Sequence, residues 1–83
     1  MATADIALIR GRGGVEFGVV CVRDEVIDNH RERDQQLRLW TGLLRRPVAL
    51  LGARRHRSFG RRDIVGWLRN INVARLPWRK FTF

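Results

Sequence analysis

The sequence predicts a single small α+β domain with the element order β-β-α-β-α-β. Two observations indicate this class: three short apolar runs and a terminal aromatic segment, all of strand length, and two longer segments whose apolar residues recur with helical spacing. A chain of 83 residues allows one domain with a modest core, and its 45% hydrophobic fraction argues against intrinsic disorder. We therefore expect residues 1–83 to form one domain in which a small mixed or antiparallel sheet is covered by two helices.

The first two apolar runs predict a β-hairpin. Residues 6–10 and 15–22 are rich in β-branched side chains, and the loop Gly11–Gly14 between them tolerates positive φ angles. This loop lacks the Lys-Ser/Thr pair of a phosphate-binding P-loop and precedes a strand, so we interpret it as a turn. Alternate residues of the second strand share the predicted core face: Val15, Phe17, Val19 and Cys21. Cys21 is therefore expected to be a small buried hydrophobe and not a reactive thiol.

The first helix is predicted over residues 24–46. Acidic residues lie near its start and two arginines at its end, as the helix dipole favours, and Pro47 ends it. Its apolar side chains are predicted to face the core: Leu37, Leu39, Trp40, Leu43 and Leu44. The polar stretch before them leaves a second interpretation open, in which the helix begins near Asp28 or later and residues 24–27 extend the preceding strand.

The second half of the chain predicts a strand followed by a shorter helix. Residues 47–51 form an apolar run of strand length that ends at Gly52. The helix is predicted over about residues 60–70, with Ser58 as its N-cap. The side chains that share its apolar face are predicted to point into the core: Ile64, Trp67, Leu68 and Ile71.

The last residues, 78–83, predict an edge strand. Phe81 and Phe83 share one of its faces, and Lys80 discourages the addition of a further strand. Trp78 lies among basic residues, an arrangement typical of single-strand binders, but core packing is an equal alternative for it. Trp40 is assigned to the core.

The charge distribution is the strongest functional signal. Seventeen basic residues and eight acidic ones give a net charge of +9. Residues 1–34 hold five arginines and seven acids, whereas residues 35–83 hold twelve basic residues and Asp63 as their single acid. Such asymmetry predicts a positive surface for a phosphate-bearing polymer or an acidic protein face. Arginine-rich coding in a GC-rich genome is an alternative origin of the arginines, but it does not explain where the acids lie.

A run of five arginines and a histidine over residues 54–62 predicts the binding site. Arginine grips phosphate through a planar fork of donors, and a basic face on each predicted helix could extend the run. The predicted site residues are Arg45, Arg46, Arg54, Arg55, His56, Arg57, Arg61, Arg62 and Arg69. In the alternative interpretation, these arginines pair with the acids of residues 24–34. Arg38 is left out of the site because Asp34, four residues earlier, is spaced to pair with it.

The function predicted from these features is non-catalytic binding of a polyanion, most simply the phosphate backbone of DNA or RNA. The chain offers no cluster of acids, histidines or nucleophiles that suits catalysis, and no cofactor or metal is expected. The alternative is a phage or mobile-element inhibitor or adaptor, for example an anti-CRISPR-like protein, that binds a host nucleic-acid enzyme. A cytoplasmic location without membrane association is expected, since neither a signal peptide nor a long apolar run is present. The final edge strand could also pair two copies of the chain.

Overall fold

The computed structural model describes residues 3–82, except for the side chain of Arg12. Two single-turn 3-10 helices, Arg12–Gly14 and Val73–Arg75, lie between the main elements. The main elements in chain order are β1 (Thr3–Arg10), β2 (Glu16–Val22), α1 (Asp24–Asp28), α2 (His30–Leu44), β3 (Val48–Gly52), β4 (Ser58–Gly60), α3 (Arg62–Leu68) and β5 (Trp78–Thr82).

Within the described residues, the five strands form one mixed sheet in the order β4-β3-β2-β1-β5. β2 and β3 are parallel, with α1 and α2 forming the crossover between them, and the other three pairs are antiparallel. The α+β class is confirmed. The sheet has one strand more than predicted, and three helices cover it where two were expected.

Both faces of the sheet are buried, so the domain has a core on each side. On one face, Trp40 of α2 and Ile27 of α1 pack with strand residues such as Val20 and Leu50. On the other face, Ile64 and Leu68 of α3 pack against the opposite side chains of the same strands. The central strands β2 and β3 are therefore inaccessible, and the exposed parts of the sheet are its ends and its edges.

The predicted hairpin of β1 and β2 is present, with two of the three turn glycines at positive φ (Gly13 at 73°, Gly14 at 77°). The prediction of a single core face on β2 was wrong, because helices cover both faces and Val20 is fully buried. Val15 precedes the strand and is 51% exposed. Cys21 is partly exposed, since it lies near the end of the sheet.

The long first helix is broken at Asn29, which has an extended backbone conformation. The Asn29 side chain accepts a hydrogen bond from the backbone N–H of Glu32 at 3.1 Å and so caps α2. Residues 24–28 form the separate helix α1, in which Val26 and Ile27 are buried. The interpretation in which residues 24–27 extend the strand was therefore wrong.

Helix α2 buries a narrower stripe than its periodicity predicts. Trp40 is 1% exposed, and Leu37 and Leu44 pack beside it. Leu39 and Leu43 were predicted to face the core, but they are 43% and 46% exposed. They lie on a flank of the helix that the sheet does not reach, since the contact is centred on Trp40.

The third helix begins later than predicted because residues 58–60 are taken up by β4. These residues pair with β3 in the register Leu51 with Ser58, so Ser58 is a strand residue and not an N-cap. Gly60, the last residue of β4, has φ 148°. Trp67 was predicted to be core but is 37% exposed, on the flank of α3 that faces β2.

The predicted edge strand β5 is confirmed, since it pairs with β1 at the border of the sheet. Its Lys80 forms an ion pair with Asp5 at 2.8 Å. Phe81 packs edge-on against Trp40, with 5.8 Å between ring centroids. The predicted sharing of a face with Phe83 lies outside the described residues.

Candidate functional site

The loop of residues 53–57 presents the central part of the predicted site. It joins β3 to β4 at the end of the sheet where the parallel strands β2 and β3 both finish. Its backbone closes on Gly52, which donates a hydrogen bond to the carbonyl of Arg57 at 2.7 Å and accepts one from His56 at 3.2 Å. His56 has the left-handed φ of 55°, which turns the chain back toward β4.

Asp24 at the start of α1 anchors this loop. Its Oδ1 accepts hydrogen bonds from the backbone N–H groups of Arg54 and Arg55, at 3.3 and 3.4 Å. Gly52 makes room for the carboxylate, because a Cβ there would lie 2.5 Å from Asp24 Oδ1. Asp24 thus binds the loop backbone and forms no ion pair with a guanidinium group of the described chain.

The arginines of the loop differ in their pairing. Arg57 forms an ion pair with Asp28 at 2.5 Å, so the opening acidic segment neutralises this one guanidinium, as the alternative interpretation expected. The side chains of Arg54 and Arg55 are exposed and meet no acid in residues 3–82. His56 is also exposed. The loop therefore carries two uncompensated positive charges on an ordered backbone.

Two further unpaired arginines, Arg62 and Arg69, line a groove between the β4 edge and α3. The groove encloses about 430 Å³, and its remaining lining residues are Ser58, Phe59, Gly60, Val65 and Gly66. Neither arginine has an acidic partner among the described residues. Since the loop leads directly into β4, we name Arg54, Arg55, Arg62 and Arg69 together the β4-edge surface.

On the opposite face of β4, Arg33 of α2 lies over the Phe59 ring, with its Cζ 3.8 Å from the ring centroid. Its side chain is 21% exposed and forms an ion pair with Asp34 at 3.5 Å. Sequence analysis did not select this residue. A cation stacked on an aromatic ring stabilises the edge strand.

The structure does not bring all predicted arginines together. Arg45 and Arg46 follow α2 and precede β3, so the length of β3 (about 13 Å from Val48 to Gly52) separates them from the loop. Arg46 forms an ion pair with Glu16 at 3.2 Å. At this same end of the sheet, Arg61 forms one with Asp63 at 3.0 Å. Of the three, Arg45 alone lacks an acidic partner in the described chain.

Arg38 belongs with the unpaired arginines, contrary to the sequence-based interpretation. Asp34 forms its ion pair with Arg33, so Arg38 is left exposed without an acid among the residues described. Arg31 and Arg38 are seven residues apart and both are exposed, so they lie along the outer side of α2. Arg45 follows the helix, where its backbone takes a left-handed φ of 52°.

A larger cavity, of about 630 Å³, lies at the end of the sheet opposite the loop. Its floor is apolar and its rim carries charged side chains. The lining residues are Ile9, Arg10, Gly11, Val15, Phe17, Pro47, Arg61, Asp63, Ile64 and Trp67. The cavity was not predicted from the sequence, because Trp67, its main aromatic side chain, was assigned to the core.

Two observations concern groups that could take part in chemistry. No group of three or more His, Cys, Asp or Glu side chains within them is placed to hold a metal ion. Burial raises the pKa of the Cys21 thiol, and the carboxylates of Asp5 and Asp24 raise it further. A thiol that is protonated at neutral pH is a poor nucleophile.

Comparison with protein-family models, with curated proteins and with solved structures gave no match for this chain. The site must therefore be judged on its own geometry. Among the described helices, none combines the length and the apolar character needed to cross a bilayer.

Proposed function

We propose that this protein is a non-catalytic binding protein that holds a polyanion, the phosphate backbone of a nucleic acid, on its β4-edge surface. The observation that carries the proposal is that Arg62 and Arg69 line one groove along β4 and Arg54 and Arg55 lie on the loop that leads into β4, all four without acidic partners in residues 3–82. Unpaired guanidinium groups on adjoining elements suit a ligand with repeated negative charges.

Three acids around this surface support the proposal, because their carboxylates are already engaged. Asp24 accepts backbone hydrogen bonds, Asp28 pairs with Arg57, and Asp63 pairs with Arg61. The four unpaired arginines could therefore bind phosphate without the loss of an ion pair.

Order in the loop also supports tight binding. Hydrogen bonds from Gly52, His56, Arg54 and Arg55 fix its backbone before any ligand arrives. Side chains on a fixed backbone lose less conformational entropy on binding than those on a mobile one. Contacts of this kind are with phosphate and carry no base sequence information, so we expect weak sequence preference.

The proposal is tested by the salt dependence of binding to a labelled random oligonucleotide, followed by fluorescence anisotropy. Wild type should bind at about 50 mM salt and lose orders of magnitude in affinity by about 200 mM. The double variant Arg54→Ala/Arg55→Ala should bind at least about tenfold more weakly. Its log–log salt slope on duplex should be shallower by about 1.8, which corresponds to two lost phosphate contacts.

A matched control removes two exposed arginines that lie away from the loop and the groove. Arg38 and Arg79 are exposed and have no acidic partner in the described chain; Arg38 lies on α2, across the sheet from α3, and Arg79 lies on β5, the strand farthest from β4. Arg38→Ala/Arg79→Ala lowers the net charge by the same amount, and its affinity should stay within about threefold of wild type. Equal losses in both double variants would contradict a localised site. No binding at about 50 mM salt would contradict the function itself and favour an acidic protein as the partner.

A further inference from the structure

The cavity beside Trp67 has the composition of a ligand site. Its floor is formed by Phe17, Ile9 and Ile64, and Trp67 stands at its side with its ring edge-on to Phe17 (5.4 Å between centroids, 82° between planes). A volume of about 630 Å³ lies in the range of pockets that take small organic groups. Aromatic walls with a few polar groups at the rim are typical of such pockets.

The fold leaves Trp67 partly exposed and its indole N–H without an acceptor among the described residues. Its side chain is 37% exposed, and its indole N–H donates no hydrogen bond to any described residue. Val15, across the same cavity, is 51% exposed. An exposed indole face can stack on a flat ring, and its in-plane N–H can donate a hydrogen bond to an acceptor beside that ring.

The cavity and the β4-edge surface meet at the start of α3. Arg61 lines the cavity, and the next residue, Arg62, lines the groove along β4. Gly66 on the same helix also lines the groove, and nothing lies within 4 Å of where its Cβ would be. A chain of phosphates could therefore run over α3 from the groove to the mouth of the cavity without meeting a side chain at this position.

We infer that the cavity takes one unstacked nucleobase of a single strand, and that the protein prefers single-stranded nucleic acid over duplex. This inference depends on the proposed function, since the β4-edge surface would hold the phosphates of that strand. Trp67 supplies the stacking face. Arg10 and Arg61 also line the cavity, but they are paired with Glu16 at 3.1 Å and Asp63 at 3.0 Å, so the phosphates are left to the unpaired arginines of the β4-edge surface. A base inside a duplex is paired and stacked and cannot enter, whereas every base of a single strand has a face to offer.

The first test compares single strand with duplex in the wild-type protein. Affinity for (dT)20 should exceed that for a duplex of equal length, and (dT)20 should quench part of the tryptophan emission. Most of the quenching should be lost in Trp67→Phe, because Trp40 is 1% exposed and Trp78 is partly buried against the core on the α3 face of the sheet. Quenching that persists largely undiminished in Trp67→Phe would overturn the inference.

The second test measures the energetic role of Trp67. Trp67→Leu keeps an apolar side chain but removes the stacking surface, and it should lower affinity for (dT)20 at least about fivefold while changing duplex affinity less than twofold. Thermal melting shows whether the variant is folded at the assay temperature, and the wild-type quenching experiment stands even if it is not.

Equal affinity for the two nucleic acids, with no quenching, would overturn this inference and leave phosphate binding intact. Loss of binding to both in Arg54→Ala/Arg55→Ala reports on the proposed function alone. Displacement of bound (dT)20 by an acidic peptide with a large apolar side chain, but not by free thymidine nucleotide, would also overturn the inference.

Discussion

Asp24 and Gly52 lie in direct contact, so close that a side chain on Gly52 would collide with the carboxylate. The pair joins the start of α1 to the end of β3, and from there Asp24 reaches the backbone of Arg54 and Arg55. The conformation of the arginine-rich loop thus depends on an acid from the opening segment of the chain.

Replacing Asp24 should therefore destabilise the domain and loosen the loop. Asp24→Ala leaves two backbone N–H groups without their charged acceptor, and we expect a loss of about 1.5–3 kcal/mol in the free energy of unfolding. Urea denaturation measures the loss, and faster hydrogen exchange at Arg54 and Arg55 locates it. The neighbouring acid Glu25 is exposed and has no ion pair in the described chain, so Glu25→Ala is the control. Similar losses in the two variants would show that Asp24 does not anchor the loop.

The two tryptophans of the helices should differ sharply in their contribution to stability. Trp40 is fully buried and donates a hydrogen bond to Gln36 at 3.0 Å, so Trp40→Ala should cost about 3–5 kcal/mol. Trp67 is 37% exposed, and we expect Trp67→Ala to cost less than half as much. Denaturant unfolding of both variants under identical conditions checks this order, and a larger loss for Trp67→Ala would place its indole in the core.

Cys21 should make stability depend on pH in the alkaline range. Its pKa is raised in the folded protein by burial and by Asp5 and Asp24, so the unfolded chain releases the thiol proton at a lower pH than the native one. Native protein then holds more protons than unfolded protein, and the free energy of unfolding falls as pH rises through the ordinary thiol pKa. Urea midpoints between about pH 7.5 and pH 9.5 measure the effect. Cys21→Ala should show a flatter profile, and an identical slope in both proteins would contradict the assigned cause.

An added negative charge should weaken oligonucleotide binding more at the β4-edge surface than elsewhere on the protein. Gly66 of α3 and Gly42 of α2 both lie in helices, with nothing within 4 Å of the position that a Cβ would take, so aspartate fits at either site without a clash. Gly66 lines the groove between Arg62 and Arg69, and Gly66→Asp should weaken oligonucleotide binding at least about tenfold, because its carboxylate repels phosphate there. Gly42→Asp is the matched control, and its affinity should stay within about threefold of wild type. Anisotropy titrations at about 50 mM salt compare them, and a stronger effect of Gly42→Asp would move the site to the outer side of α2.

The elements predicted correctly are those whose signals are local. The hairpin of β1 and β2 is specified by glycines that take positive φ, and β3 by a continuous apolar run that a buried parallel strand requires. The strand β4 could not be predicted, because its three residues carry no alternation and its pairing with β3 is a tertiary event. Periodicity placed Leu39 and Leu43 on the apolar side of α2, but it could not show how far the sheet extends beneath that side.

The candidate site was predicted in part, for a similar reason. Arg45 and Arg46 were grouped with the loop arginines as a basic face of the first helix, but the whole of β3 lies between the two groups. Spacing of four residues paired Asp34 with Arg38, whereas Asp34 contacts Arg33, whose guanidinium is fixed over Phe59. The cavity at Trp67 is made by four separate segments, and only their packing reveals it.

The anchoring of the loop by α1 has a consequence for any shortened form of the protein. A three-residue strand such as β4 has too few backbone hydrogen bonds to fix the turn that leads into it. The conformation of the basic loop therefore depends on contacts with the acidic half of the chain. A peptide that began after residue 28 would retain nearly all of the positive charge, yet its guanidinium groups would sample many arrangements in place of one. The two halves of the chain thus have different roles: the basic half carries the guanidinium groups, and the acidic half fixes the loop that presents them.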